Sequence, residues 1–170
     1  MDKTIEQIAK DRKTQYEIYQ KYSKAMFNIC VRITNDMAEA EDALQEAFVK
    51  AFMNVHTYKG DATFGAWLKR IVINQALMYV RRKKEQIISM EDMYLDVANE
   101  EDEEKDNNYT MERVRNAIQL LPDGYRIVLS LYLLEGYSHD EIAEIMNISV
   151  STSKSQYNRA KKKLRAILAQ

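Results

Sequence analysis

The last third of the chain contains Gly136-Tyr-Ser-His-Asp-Glu-Ile-Ala-Glu-Ile-Met-Asn-Ile-Ser149, which continues as Val150-Ser-Thr-Ser-Lys-Ser-Gln-Tyr-Asn-Arg-Ala-Lys-Lys-Lys-Leu164. Ser138 and Glu141 have the spacing of a capping box, which predicts the start of a short helix. Asn147 predicts the turn that ends this helix, because Asn adopts positive φ more readily than most residues. Ser149 or Ser151 is then expected to cap a second helix. The pattern is that of a helix-turn-helix.

The second helix of this motif separates an apolar stripe from a polar one. The apolar stripe has helical spacing and holds Tyr157, Ala160, Leu164, Ile167 and Leu168. The opposite stripe holds Ser151, Thr152, Ser155, Arg159 and Lys162, with Gln156 at its flank. These residue types contact phosphates and base edges in the major groove. Residues 147–170 contain no acidic residue, so the motif is predicted to bind DNA; the alternative is an ordinary solvated surface helix.

The composition predicts an all-α protein whose charge is segregated along the chain. The 170 residues include only 4 Gly and 1 Pro, and long periodic runs dominate. The formal net charge is −1, yet the acidic residues concentrate between Glu91 and Asp106, where Lys105 is the only base. The segments on either side are basic, which is typical of nucleic-acid-binding proteins.

The residues that usually carry catalysis or bind metals are scarce. Cys30 is the single cysteine, so an intrachain disulfide and a cysteine-based metal site are excluded, and its place on an apolar stripe predicts a core position. His56 and His139 lack the spacing of metal ligands. We therefore expect no catalytic site, no metal, no cofactor and no small-molecule substrate. The N-terminus has no signal pattern and no segment is suited to span a membrane, which predicts a reduced, cytoplasmic protein.

The periodic runs predict two small helical domains joined by an acidic linker. The first domain is placed at residues 1–88, with three helices beginning at about Thr14 and the third running from about Ala62 to Lys84. The second domain is placed at residues 109–170, where Pro122 ends a helix. Residues 89–108 are predicted to be a flexible linker, with a solvated acidic helix as the alternative.

Both domains resemble one protein family. The first contains Asp36-Met-Ala-Glu-Ala-Glu-Asp-Ala-Leu-Gln-Glu-Ala-Phe48, Tyr58-Lys-Gly-Asp-Ala-Thr-Phe-Gly-Ala-Trp-Leu-Lys-Arg-Ile-Val-Ile-Asn74 and Tyr79-Val-Arg-Arg-Lys-Lys84. These segments resemble the polymerase-binding and promoter-melting domain of bacterial extracytoplasmic-function (ECF) sigma factors. The second domain is similar to the C-terminal domain of that family through Leu121-Pro122, Glu135-Gly-Tyr-Ser138, Glu141-Ile-Ala143 and Thr152-Ser-Lys-Ser155. The resemblance covers nearly the whole chain in the family's order.

The resemblance implies a sigma factor that directs promoter-specific transcription initiation and is not an enzyme. Its implied partners are core RNA polymerase, through the β′ clamp and the β flap, promoter DNA and an anti-sigma factor. Asp42, Gln45 and Glu46 are implied to dock on the clamp coiled coil of β′, where carboxylates and an amide suit arginine-rich helices; the alternative is an ordinary solvated helix face.

The resemblance also implies two sets of DNA-binding residues. For the −10 element these are Trp67, Lys69, Arg70, Asn74, Met78, Arg81 and Arg82. For the −35 element they are the polar residues of the second helix of the motif, namely Ser151, Thr152, Ser155, Gln156, Arg159 and Lys162. Phe64 and Trp67 suit either a core or a stacking platform for single-stranded bases, and the core is favoured for Phe64 and, at least in part, for Trp67.

The chain departs from the family pattern at four positions. Met78 stands where many members have Asp or Asn, Gln156 where many have Arg, and Ser151 where many have Gly. Ser153 replaces an apolar residue on the buried side of its helix, so we expect its hydroxyl to bond a carbonyl one turn back. These differences concern the promoter sequence that is read and leave the function class unchanged.

Two other function classes compete with a sigma factor. A free-standing helix-turn-helix repressor or activator binds duplex DNA alone, usually as a dimer on a palindrome. A nucleic-acid-processing enzyme needs a catalytic constellation, which the sequence does not offer.

Overall fold

The structure, a computed structural model, describes residues 5–88 and 109–170. Every regular element in these two ranges is helical, which confirms the predicted all-α class. The chain divides into two compact units between Arg82 and Lys83. The predicted linker at residues 89–108, and the acidic helix considered as its alternative, lie outside the described residues.

The first part of the chain forms helices α1 (Ile5–Lys10), α2 (Arg12–Thr34), α3 (Met37–Met53) and α4 (Phe64–Ile88), with a short 3₁₀ helix at Val55–Thr57. Helix α2 packs against α3. The buried side chains recur at helical spacing along α2, α3 and α4 and include Met26, Ile29, Cys30, Ile33, Ala43, Leu44, Ala47, Phe48, Leu68, Val72, Ile73, Ala76 and Leu77. Cys30 is fully buried, as its apolar stripe predicted.

The boundaries of these helices differ from the sequence prediction at three places. Helix α1 was not predicted, and α2 begins at Arg12 because the Asp11 carboxylate accepts hydrogen bonds from the backbone of Lys13 and Thr14, at 3.2 and 3.0 Å. Helix α4 begins at Phe64 instead of Ala62, since the Thr63 hydroxyl caps it by accepting the Ala66 N–H at 3.2 Å. Its end lies beyond Lys84, where the sequence continues with good helix formers.

The second part of the chain forms α5 (Met111–Gln119), α6 (Asp123–Leu129), a π-helix at Ser130–Leu134, α7 (His139–Met146) and α8 (Val150–Leu168). Helix α8 contacts α5, α6 and α7. Its apolar stripe joins a core that comprises Ile118, Leu121, Tyr125, Leu129, Tyr157, Ala160, Leu164 and Ile167. Arg126 is only 1% exposed and donates to the Leu121 carbonyl at 3.2 Å and the Asp123 carboxylate at 2.7 Å, which satisfies its buried charge.

Helices α7 and α8 have the local geometry that the sequence predicted. The Ser138 hydroxyl accepts the Glu141 N–H at 3.3 Å, while the Glu141 carboxylate accepts the Ser138 N–H at 2.8 Å, which completes the capping box. Asn147 ends α7 with φ of 55° and ψ of 51°, and Ser149 caps α8 by accepting the Thr152 N–H at 3.0 Å. The N-caps at Ser138 and Ser149 each contribute about 1 kcal/mol to stability. Burial of Ile142 on α7, which is fully buried, adds about 1.5–3 kcal/mol.

Candidate DNA-binding and docking surfaces

The outer face of α8 presents hydroxyl and basic side chains together. Ser151, Ser155, Arg159 and Lys162 are exposed, and Thr152 is half-buried. The Ser155 hydroxyl donates to the Thr152 carbonyl at 3.0 Å, and the Thr152 hydroxyl lies 2.8 Å from that of Ser149. The short side chains are therefore held close to the helix, while the two long basic ones can reach further. This arrangement can place hydroxyls against base edges and cations against phosphates.

Gln156 does not lie with this exposed group. Its side chain is half-buried and rests against Gly124 at the start of α6, where an added Cβ would lie 3.3 Å from Gln156 Oε1. That oxygen is buried and accepts no hydrogen bond from the described residues. Contact between Gln156 and a base would require the side chain to turn away from α6.

The inner face of α8 carries a contact that sequence reasoning missed. Ser153 is fully buried, and its Oγ lies 2.9 Å from Nδ1 of His139, the first residue of α7. The prediction that the Ser153 hydroxyl bonds a carbonyl one turn back is therefore wrong, because a partner on another helix is available. The His139 ring stacks on Tyr132, with centroids 4.5 Å apart and planes 18° apart.

Helix α4 brings most of its predicted DNA-binding residues onto one face. At 100° per residue, the side chains of Trp67, Arg70, Asn74, Met78 and Arg81 follow one stripe, with Arg82 at its edge and Lys69 on a different face. Asn74, Arg81 and Arg82 are exposed, whereas the other members of the stripe are half-buried. Lys69 is thus separated from the group that the sequence placed it in.

An aromatic cluster lies at the start of α4. The Phe64 ring contacts Tyr22, Tyr58 and Trp67, with centroid distances of 5.9, 5.6 and 5.3 Å. Both Phe64 and Trp67 are half-buried, so the expectation that Phe64 belongs to the core holds for only part of its ring. A partly exposed aromatic cluster beside basic groups is suited to stacking unpaired bases.

The predicted docking residues Asp42, Gln45 and Glu46 are all exposed on α3. Glu46 differs from the other two, because its carboxylate accepts hydrogen bonds from the Gln75 amide and from the Tyr79 hydroxyl, the latter at 2.7 Å. Burial and the Glu46 bond raise the pKa of Tyr79 to about 12, so that this hydroxyl stays a donor. Glu46 therefore ties α3 to α4 in addition to lying on the surface.

Lys50 completes the contact between α3 and α4. Its Nζ donates to Gln75 Oε1 at 2.5 Å and lies 3.9 Å from the Met78 sulfur. The Arg82 guanidinium lies 5.7 Å from the centroid of the Tyr79 ring. The face of α3 that carries Glu46 is thereby connected to the face of α4 that carries Met78 and Arg82.

Groups of three or more residues suited to hold a metal ion are absent from the described ranges. Among the same residues, no helix is both long and apolar enough to cross a membrane.

Comparison with known proteins identifies matches to both parts of the chain. Residues 18–86 match sigma-70 region 2, and residues 111–164 match sigma-70 region 4. The ECF RNA polymerase sigma factor SigM of Bacillus subtilis is 31% identical over 152 residues, which cover 89% of this chain and 93% of SigM. SigW of the same organism is also 31% identical, with 96% of this chain and 94% of SigW covered.

Two solved structures share the fold. The sigma factor RpoE of Bartonella quintana, in complex with the anti-sigma factor NepR, is 18% identical with a TM-score of 0.63; 91% of this chain and 96% of that one are covered. CnrH, in complex with the cytosolic domain of CnrY, is 22% identical with a TM-score of 0.58; the covered shares are 97% and 94%.

Proposed function

The chain belongs to the ECF sigma factors of the sigma-70 family, and on that basis we propose how its two units divide the work of promoter recognition. As a member of this family it is a promoter-specific transcription initiation factor. Residues 1–88 bind core polymerase and the −10 element, and residues 109–170 bind the −35 element. The chain supplies binding and duplex opening, and the polymerase supplies the catalysis.

Helix α8 reads the −35 element. The observation that carries this proposal is the exposed row of Ser151, Ser155, Arg159 and Lys162 behind the Ser149 cap. The N-terminal residues of a recognition helix contact base edges, and later basic residues reach phosphates. Arg159 is long enough for either role, and Lys162 lies one turn further along.

Helix α4 binds the −10 element, and its stripe of Arg70, Asn74, Met78 and Arg81 contacts the non-template strand. Cations next to partly exposed rings are the chemistry that binds single-stranded DNA. Trp67 is half-buried at one end of this stripe, where it can stack on an unpaired base. Lys69, on another face of α4, is assigned to phosphates of the flanking duplex.

Helix α3 docks on the β′ clamp coiled coil through Asp42 and Gln45. Glu46 shares that surface, but its carboxylate also holds Gln75 and Tyr79 of α4. The second unit binds the β flap, and the exposed side chains of Leu133 and Leu134, at 55% and 52%, support a protein contact there.

An anti-sigma factor is proposed as a further partner in the cytoplasm. Two structures that share this fold, RpoE of Bartonella quintana and CnrH, were solved as complexes, the former with an anti-sigma factor. We therefore propose that this chain also binds a protein partner, which covers its polymerase-binding or DNA-binding surfaces and holds it inactive.

Footprinting of promoter DNA with and without core polymerase tests this assignment. We expect the chain and core polymerase together to protect two unlike elements of one asymmetric promoter, and the chain alone to protect neither. Protection of a palindrome by the chain alone, as a dimer, would instead identify a helix-turn-helix repressor or activator.

A further inference from the structure

A contact between His139 and Ser153 lies inside the helix-turn-helix, on the buried side of the helix whose outer face is proposed to read DNA. Ser153 occupies the first turn of α8 and is fully buried. Its Oγ lies 2.9 Å from Nδ1 of His139, while its neighbours Ser151 and Thr152 belong to the outer face of the same turn. The contact therefore fixes the position of the end of α8 that carries the base-reading hydroxyls.

The His139 ring is itself held from two sides. It stacks on Tyr132 at 4.5 Å and meets Tyr157 edge-on at 5.6 Å, while Tyr132 and Tyr157 lie 4.6 Å apart. Tyr132 belongs to the π-helix, in which the Glu135 N–H donates to the Ser130 carbonyl at 3.1 Å. The imidazole can therefore move little without disturbing α8.

We propose that His139 is a positioning residue for −35 recognition, acting through Ser153. The proposal rests on the proposed function of α8. A buried hydroxyl that loses its partner costs more free energy than replacement of both partners by apolar groups of similar shape. Removal of the imidazole nitrogen therefore deprives the buried Ser153 hydroxyl of its partner on α7, and the first turn of α8 is no longer held in place by that contact.

A double-mutant cycle in holoenzyme tests the proposal. The variants are His139→Phe, Ser153→Val and the two combined, with Tyr132→Phe as a control that keeps the stacked ring. The readouts are the affinity for promoter DNA, the affinity for the same DNA with its −35 element scrambled, and the thermal melting of the chain. The ratio of the two affinities reports −35 recognition separately from folding.

We expect His139→Phe to lower that ratio about tenfold, which corresponds to the loss of one buried hydrogen bond. The combined variant should recover to within about threefold of the natural chain, because no buried polar atom is then left unpaired. Tyr132→Phe should leave the ratio unchanged. A lower melting temperature with an unaltered ratio, or a combined variant no better than His139→Phe, would overturn the proposal.

Two further variants remove the remaining ambiguities. If His139→Phe does not fold, Ser153→Ala replaces it, because it deletes the hydroxyl that links α8 to His139. We expect it to lower the ratio by a smaller factor than His139→Phe, since water can reach the half-buried imidazole; an unaltered ratio for Ser153→Ala refutes the proposal. Arg159→Ala separates this proposal from the function of α8. If Arg159→Ala lowers the ratio and His139→Phe does not, only the positioning role fails. If neither does, α8 does not read the −35 element.

Discussion

Asp42 and Glu46 are both exposed carboxylates on α3, but the structure predicts different consequences when each is replaced. Glu46 accepts hydrogen bonds from Gln75 and Tyr79, and Gln75 is only 2% exposed. In Glu46→Ala the Gln75 amide loses an acceptor where water has little access, which costs about 1–3 kcal/mol, while the Tyr79 hydroxyl, which can turn to water, adds about 0.5–1.5 kcal/mol. We expect a net loss of about 2 kcal/mol, after the better helix propensity of Ala is subtracted.

Trp67 is the single tryptophan and lies in the first unit, so its fluorescence reports the unfolding of that unit alone. In a urea titration the midpoint should fall by about 1–2 M for Glu46→Ala. Asp42→Ala, the matched truncation on the same face, should alter stability by less than about 0.5 kcal/mol, and so should Asp42→Arg, which should in addition abolish binding to core polymerase. An unshifted midpoint for Glu46→Ala would refute the tie between α3 and α4, and normal core binding by Asp42→Arg would refute the docking face.

Three further predictions concern DNA binding and the core. Arg159→Ala should cost about 1–3 kcal/mol of binding free energy and relax the preference at one base pair. Lys162→Ala should weaken binding to all DNA sequences alike and lower the slope of log affinity against log salt concentration by about one. Binding of the holoenzyme to promoter variants across a salt series measures both effects, and the absence of both would show that α8 does not face DNA. Neutralising Glu100–Glu104 should raise DNA binding by the chain without polymerase at low salt, because the acidic residues then no longer weaken the attraction of the basic units to DNA phosphates. An unchanged affinity of the chain for DNA in a low-salt titration would exclude this effect. Burial raises the pKa of Cys30 to about 12, above its unfolded value of about 8.5. The stability that the protonated, buried thiol contributes is therefore fully present below about pH 8.5 and is lost as the pH rises towards 12. A thiol reagent at neutral pH should accordingly label Cys30 only when the first unit opens, and rapid labelling of the native chain would contradict its burial.

The parts of the fold that were predictable from the sequence are those that local chemistry decides. The capping box at Ser138 and Glu141, the left-handed Asn147 and the Ser149 cap all depend on residues within three or four positions of one another. The apolar stripes of the long helices were predictable for the same reason, since helical periodicity alone assigns their buried faces.

The parts that escaped prediction depend on contacts between distant residues. Ser153 and His139 lie 14 positions apart on different helices, so the local carbonyl was the natural but wrong partner. Glu46 lies 29 and 33 positions from Gln75 and Tyr79, and no periodicity reveals that one docking carboxylate also holds α4. The start of α2 is different, because its signal was present: Asp11 precedes the helix as a standard N-cap residue.

Run-off transcription with purified core polymerase and genomic DNA fragments, with and without this chain, tests directly whether the chain initiates transcription. We expect discrete transcripts only when the chain is present, and we expect them to disappear with Asp42→Arg, a variant that should remain folded. Identical transcripts with and without the chain, over fragments that represent the whole genome, would contradict its role in transcription initiation.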